Sequence, residues 1–347
     1  VWAHLDGLAA LTEALSFAWE ETMSGVMLRA ALAAFLALVG SAQAQDWPQR
    51  PVTLIIPFAA GGPQDTIGRV VVPRMSEVLG QQIVIENVGG AGGTTGGRKV
   101  ATAAPDGYTF LQGSVGTQAQ SQTLYKKPPY NSVTDFTPVG LLGETPIALT
   151  VRKDLPAKDF KEFVAYTKAN QAKMSFGSAG TGSATHLGCV MLNLVLGTDV
   201  THVPYRGTGP AMLDLQGGRL DFMCEIINTA KPHIEAGAIR ALAIMTKERS
   251  PVLPNLPTAL EQGTPGLEAY TWTAFFLPKG VPDAIVKKLN NAMVQALKTP
   301  AVRDRLAATG VQVVSEDRMT PQYLGGFVKS EIEKWAAPIK KSGAQQE

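Results

Sequence analysis

Residues 51–69 read PVTLIIPFAAGGPQDTIGR: a β-branched run ending at Pro57, a bend of small residues, then a helix opening at Asp65. A buried strand that hands a Gly-rich turn to a helix start presents backbone N–H groups to an anion. The N–H groups around Ala60–Gly62 are therefore candidates to hold a carboxylate. Asp65 is expected as the helix N-cap, with Arg69 one turn on as its partner. An ordinary turn between strand and helix has the same composition, so the stretch alone leaves both readings open.

Further loops repeat the pattern. GSVGTQ (113–118) and GSAGTGSATHL (177–187) each follow a strand and lead into a helix, and their hydroxyls, Ser114 among them, could donate to an anion. Ser183 or Thr181 could equally be a helix cap. GGAGGTTGGRK (89–99) invites a nucleotide reading but lacks the G-x-G-x-x-G spacing, and Arg98 stands where a phosphate-binding loop needs Lys. A serine hydrolase would need a G-x-S-x-G elbow, which is missing. His186 lies near Ser183 without an acid to orient it, and reads as a packing residue at a helix start. In HVPYRGTGPAMLDLQGGRLDFMCE, Tyr205 and Arg206 end a strand. The guanidinium could clamp a carboxylate or pair with an acid across a domain interface. Glu225 ends the next strand; if it faces a cleft, it favours ligands that offer a hydroxyl or amino donor. His186, His202 and His233 show no paired spacing, so neither a metal nor a cofactor is expected.

The elements that must carry these loops alternate. Short β-branched runs precede helical segments at 65–79, 94–104 and 117–125, which argues for α/β layers on a mostly parallel sheet. A turn-rich stretch interrupts the series near 126–146, a second series follows, and a Pro/Gly-dense segment at 247–266 marks a second boundary. Two α/β domains are expected, 46–149 plus 251–347 and 150–250, with a hinge and a ligand cleft beyond the carboxyl ends of the strands. Net charge is +2 and only 17% of residues are charged, which argues against nucleic acid as a partner.

Met27–Ala44, MLRAALAAFLALVGSAQA, has the layout of a secretory signal peptide, with cleavage expected after Ala44. Residues 1–26 are then expected to be an upstream extension, with Met27 or Met23 as the initiator. In an exported chain Cys189 and Cys224 are compatible with one disulfide; each also sits in an apolar run where a buried free thiol is common.

Taken in order, PFAAGGPQD..GR (57–69), GAGGTTGG (90–97), PDGYTFL (105–111), GSAGTGSATHL (177–187), HVPYRGTGPA (202–211), PHIEAGAIRALAI (232–244) and RSPVLPNLPTALEQGTPG (249–266) resemble the Bug family, the TctC-type receptors of tripartite tricarboxylate transporters. The resemblance spans nearly the whole mature chain. It implies a type II periplasmic-binding fold, a non-enzymatic and monomeric receptor that closes on one small organic carboxylate, and partners in the large and small membrane subunits of a transporter. By position it points to Phe58, Ala59, Gly61 and Gly62 in the first domain, and to Ser178, Thr181, Ser183 and Thr185 in the second. The sequence departs from the family at Ala60, where a second proline is usual, at Gly68 before Arg69, and at ENVGGAGG, where Arg-Pro is common. The identity of the acid is therefore not inherited. A periplasmic sensor subunit and, more remotely, a Ser-dependent hydrolase stand as alternatives.

Overall fold

The computed structural model describes residues 47–345. The chain divides into two units, 1–49 and 50–347, and the second carries everything below. The expected upstream extension and signal peptide lie outside the described residues.

The first strands are β1 (Val52–Ile56), β2 (Ile83–Asn87) and β3 (Thr109–Ser114), joined by α1 (Pro63–Leu79) and α2 (Thr94–Ala101). β1 lies between β2 and β3, parallel to both, with Leu54, Ile55 and Ile56 fully buried. Such β-branched runs suit strands covered on both faces, and the helical connections keep them parallel. A π turn at Gly116–Gln120 then runs into the short α3 (Ser121–Leu124).

β4 (Phe136–Arg152) is 17 residues long and joins two groups of strands. Its first part, Phe136–Pro146, pairs with β9 (Tyr270–Pro278), and β9 pairs with β3. Its last part, Ile147–Arg152, pairs with β7 (Phe222–Ile226) and β8 (Ile239–Ile244). Beyond β7 lie β5 (Ser175–Ser178) and β6 (Thr201–Pro204), both parallel. The full order is β2-β1-β3-β9-β4-β7-β5-β6, with β8 and the two-residue β10 (Gln312–Val313) on β4.

The expectation of a mostly parallel sheet needs correction, because every pairing made by β4 and β9 is antiparallel. The turn-rich reading of the segment before Ile147 missed the reason. Pro138, Gly140 and Gly143 do not end the strand; its register with β9 shifts at Pro138/Gly140 and Leu141/Gly143, as bulges allow.

The second strand group is covered by α4 (Phe160–Asn170), α5 (Ala184–Leu196), α6 (Thr208–Gln216) and α7 (Ile227–Glu235). α8 (Asp283–Lys298), α9 (Pro300–Ala308) and α10 (Pro321–Lys341) return to the first group, where α8 packs on α1 and α10 on β4. Aromatic side chains fill both cores. Phe110 meets Phe275 edge-on at 5.2 Å, and Phe163 meets Phe222 edge-on at 5.3 Å. Cys189 of α5 and Cys224 of β7 form a disulfide, with Cα atoms 5.3 Å apart. Among the described residues no helix is long and apolar enough to cross a membrane.

Candidate functional site

Helix starts gather around one cavity. Pro63 and Gln64 of the first turn of α1 line it, beside Phe58 and Ser114. From the second strand group come Ala179, the start of α5 (Ser183, Ala184, Thr185), Thr208 at the start of α6 and Ile226 just before α7; Thr271 of β9 completes the wall. The cavity is small, ≈ 20 Å³, because the two walls stand close together.

No Lys, Arg, Asp or Glu is among the lining residues. Four helices of 17, 13, 9 and 9 residues nevertheless begin there. The first N–H groups of a helix have no partner inside it, and the aligned peptide dipoles leave positive potential at that end. The cavity is thus built to accept negative charge without a cationic side chain.

Each wall is braced locally. Asp65 is not the N-cap of α1, contrary to expectation: the cap is Gly62, and Pro63 takes the first helical position. From the third position the Asp65 carboxylate reaches back to accept the Gly61 N–H at 2.9 Å. It also accepts Arg69 Nε at 2.8 Å and Asn87 Nδ2 at 3.1 Å. Burial pushes the Asp65 pKa up, but the Arg69 bond and charge and the Gly61 and Asn87 donors outweigh it, and the net shift is down. The ionised carboxylate therefore fixes the turn that carries Phe58.

On the other wall Ser183 caps α5, its Oγ accepting the His186 N–H at 3.2 Å. Thr185 Oγ1 accepts the Ala179 N–H at 2.9 Å, and His186 Nδ1 accepts the Gly182 N–H at 3.2 Å. Ser178 Oγ lies 2.6 Å from His202 Nε2 and accepts the Gly180 N–H at 3.1 Å. The rings of His186 and His202 lie 4.1 Å apart, with Phe176 stacked on His202 at 4.9 Å. Burial drives the His186 pKa down to about 3, helped by His202, and burial takes His202 down to about 4. Both imidazoles are neutral at neutral pH and act as hydrogen-bonding struts behind the loop.

Across the seam the two walls meet through glycines. Gly92 (φ +61) and Gly180 (φ +113) hold left-handed conformations that favour glycine, and their backbones approach each other. A Cβ on Gly92 would overlap the Thr181 carbonyl oxygen; one on Gly180 would stand 3.1 Å from Gly92 N. Tyr125 Oη lies 3.3 Å from the Ala91 carbonyl and 3.4 Å from that of Thr181. Asn228 Nδ2 donates to the Pro63 carbonyl at 3.0 Å in a buried bond.

Of the residues singled out in the sequence, Phe58, Ser114, Ser183 and Thr185 line the cavity, whereas Ala59, Gly61, Gly62, Ser178 and Thr181 support or flank it. Tyr205 turns away, its hydroxyl donating to Asp214 at 2.6 Å, and Arg206 is exposed, so the carboxylate clamp is not formed there. Glu225 does not face the cavity either: it is completely buried behind Ile226 and Thr208. Reading the sequence missed Pro63, Gln64, Ala179, Ala184, Thr208, Ile226 and Thr271. A helix start after Gly207 could have flagged Thr208, while Thr271 sits in a strand with no local signal.

The Ser178–His202 contact was also unforeseen. It does not make a nucleophile: Ser178 is fully buried outside the cavity, and among the described residues no carboxylate bonds the second nitrogen of His202. Among the described residues no His, Cys, Asp or Glu cluster could hold a metal ion.

Residues 67–344 match the model of the TctC family, described as the tripartite tricarboxylate transporter family receptor. The chain belongs to this family. MatC from Rhodopseudomonas palustris, solved with bound malate, is 42% identical with a TM-score of 0.82, covering 84% of this chain and 100% of that one. The periplasmic binding protein BugD is 39% identical, with a TM-score of 0.84 and coverage of 87% and 100%. A second R. palustris protein, solved with adipate, is 34% identical, with a TM-score of 0.81 and coverage of 86% and 98%. The fold is accordingly the α/β fold of the Bug and TctC periplasmic binding proteins, a family of receptors.

Proposed function

We propose that this chain captures one small organic carboxylate in the periplasm and presents it to the membrane subunits of a tripartite tricarboxylate-type transporter, without chemical change to the ligand. One observation carries the reading: four helix N-termini converge on a cavity whose lining has no charged side chain. A cation would meet like potential there, and a neutral ligand would leave the helix-end N–H groups poorly used. The malate and adipate held by the two R. palustris relatives support the same ligand class.

Residues 46–149 with 251–347, and residues 150–250, act in this reading as two lobes hinged where the chain crosses between the strand groups. The ligand bridges the walls and biases the closed arrangement. Export follows from the leader ending near Ala44, and the receptor works as a monomer. Melting curves in malate, adipate, succinate, citrate and aspartate, against glucose and choline, test the proposal. A true ligand raises the melting temperature with concentration, by about 2.7 kcal/mol of stabilisation at a hundredfold excess over Kd. Stabilisation by choline or glucose with none by any acid would overturn it.

A further inference from the structure

Glu225, the last but one residue of β7, lies opposite Ala148 of β4, completely buried and next in the chain to Ile226 of the cavity wall. Its Oε1 accepts Thr229 Oγ1 at 2.7 Å. Oε2 has no protein partner of good geometry, and neither has the buried Thr208 Oγ1. The Thr208 hydroxyl nonetheless lies close enough to favour the ionised carboxylate. Thr208 itself lines the cavity, so this residue neighbours both Glu225 and a ligand held there.

The charged groups on the surrounding elements are engaged elsewhere. Arg152 of β4 pairs with Asp154 and Asp221, and Glu144 of β4 with Arg318. Asp214 of α6 pairs with Arg219, and Lys231 of α7 with Glu235. His233 of α7 is 2.9 Å from Gln216 Nε2, and His186 of α5 accepts from Gly182. Among the described residues none of these cationic groups pairs with Glu225. Burial pushes its pKa up to about 8, against the weaker pull of Thr229, the Ile226 N–H and Thr208.

We propose that Thr208 and Glu225 form a proton-linked donor that couples carboxylate capture to a proton held on Glu225. With the proton in place, Glu225 donates to Thr208 Oγ1, which frees the Thr208 O–H to donate into the cavity. When Glu225 ionises, Thr208 gives its proton to the carboxylate and turns lone pairs toward the ligand, while a negative charge appears behind the wall. Both changes repel an anion, so the proton and the ligand favour each other's binding. This inference rests on the carboxylate reading and adds to it a dependence on pH.

Calorimetric titration of malate and adipate at pH 6, 7, 8 and 9 tests it. If only the protonated form binds, one group titrating near 8 makes the dissociation constant about tenfold larger at pH 9 than at pH 7. Glu225→Gln retains a donor to Thr208 and is expected to bind with a flat profile. Thr208→Val is expected to bind more weakly at pH 7 and to keep only the part of the difference between pH 7 and 9 that the Glu225 charge itself causes. A flat wild-type profile, or the same loss at pH 9 in Glu225→Gln, overturns the linkage and leaves carboxylate binding standing. Failure of every acid to bind at every pH overturns the carboxylate reading and the linkage together. Infrared difference spectra at pH 7 check the proton without a ligand: a protonated-carboxyl band present in the wild type and missing in Glu225→Gln supports the proposal. Its absence from both overturns it.

Discussion

Replacing Gly92 by alanine separates closure from folding. Gly92 sits at φ +61, where a side chain costs about 1–2 kcal/mol in any arrangement of the walls. The new Cβ would also overlap the Thr181 carbonyl and stand 2.9 Å from Ser183 N, but only while the walls are together. Parting them forfeits the Tyr125 contact to Thr181, worth about 1 kcal/mol. It also forfeits one charge-assisted bond from the start of α5 to the ligand, about 1.5–3 kcal/mol. The sum, about 2.5–4 kcal/mol, corresponds to binding weaker by roughly 10²–10³. Gly80→Ala is the control: Gly80 is also left-handed (φ +69), with nothing within 4 Å of its added Cβ. Both variants should unfold at similarly lower urea concentrations, and only Gly92→Ala should lose affinity for the acid found by melting curves. Equal affinities in the two variants would refute the view that the seam must shut on the ligand.

Further outcomes follow from the braces. Ser183→Ala removes the cap of α5 and should cost about 1 kcal/mol in urea unfolding; an unchanged midpoint would mean that another group takes over the cap. The depressed pKa values of His186 and His202 make the unfolded chain bind protons first, so their contribution is whole above about pH 6.5 and is lost on acidification toward 4 and 3. Glu225 acts oppositely: its raised pKa lets the folded chain hold a proton from about 4.5 to 8, where stability rises as pH falls. Between pH 6.5 and 4.5, Glu225→Gln should therefore lose stability more steeply than the wild type, and parallel curves would contradict these assignments. Reducing the Cys189–Cys224 bond, 35 residues apart, should lower unfolding stability by about 3–4 kcal/mol on chain-entropy grounds, measured in urea with and without reductant. An unchanged midpoint after complete reduction would contradict that figure.

Much of the framework was legible locally. Hydrophobic period and turn chemistry marked β1, β3, β5 and the helices after them, and the Gly-rich loops at 57–62 and 177–185 do border the cavity. These features depend on neighbours a few residues away, which a linear pattern records. Asp65 shows where that range ends: it is expected as the N-cap, but it braces the turn from the third helical position, which depends on how Gly61 folds back. The long β4 was hidden for a similar reason, because its prolines and glycines are tolerated only through bulges against β9.

By itself, then, the sequence determined the strand–turn–helix units and the kind of chemistry their turns can offer. The tertiary structure decided which turns share a cavity, brought Thr208, Ile226 and Thr271 to it from separate elements, and turned Tyr205 and Glu225 away from it. Helix and strand periods act over a few residues, whereas a side chain's direction across a cleft is set by the pairing of β4 with β7, β8 and β9. That pairing joins residues far apart in the chain, and no local pattern encodes it.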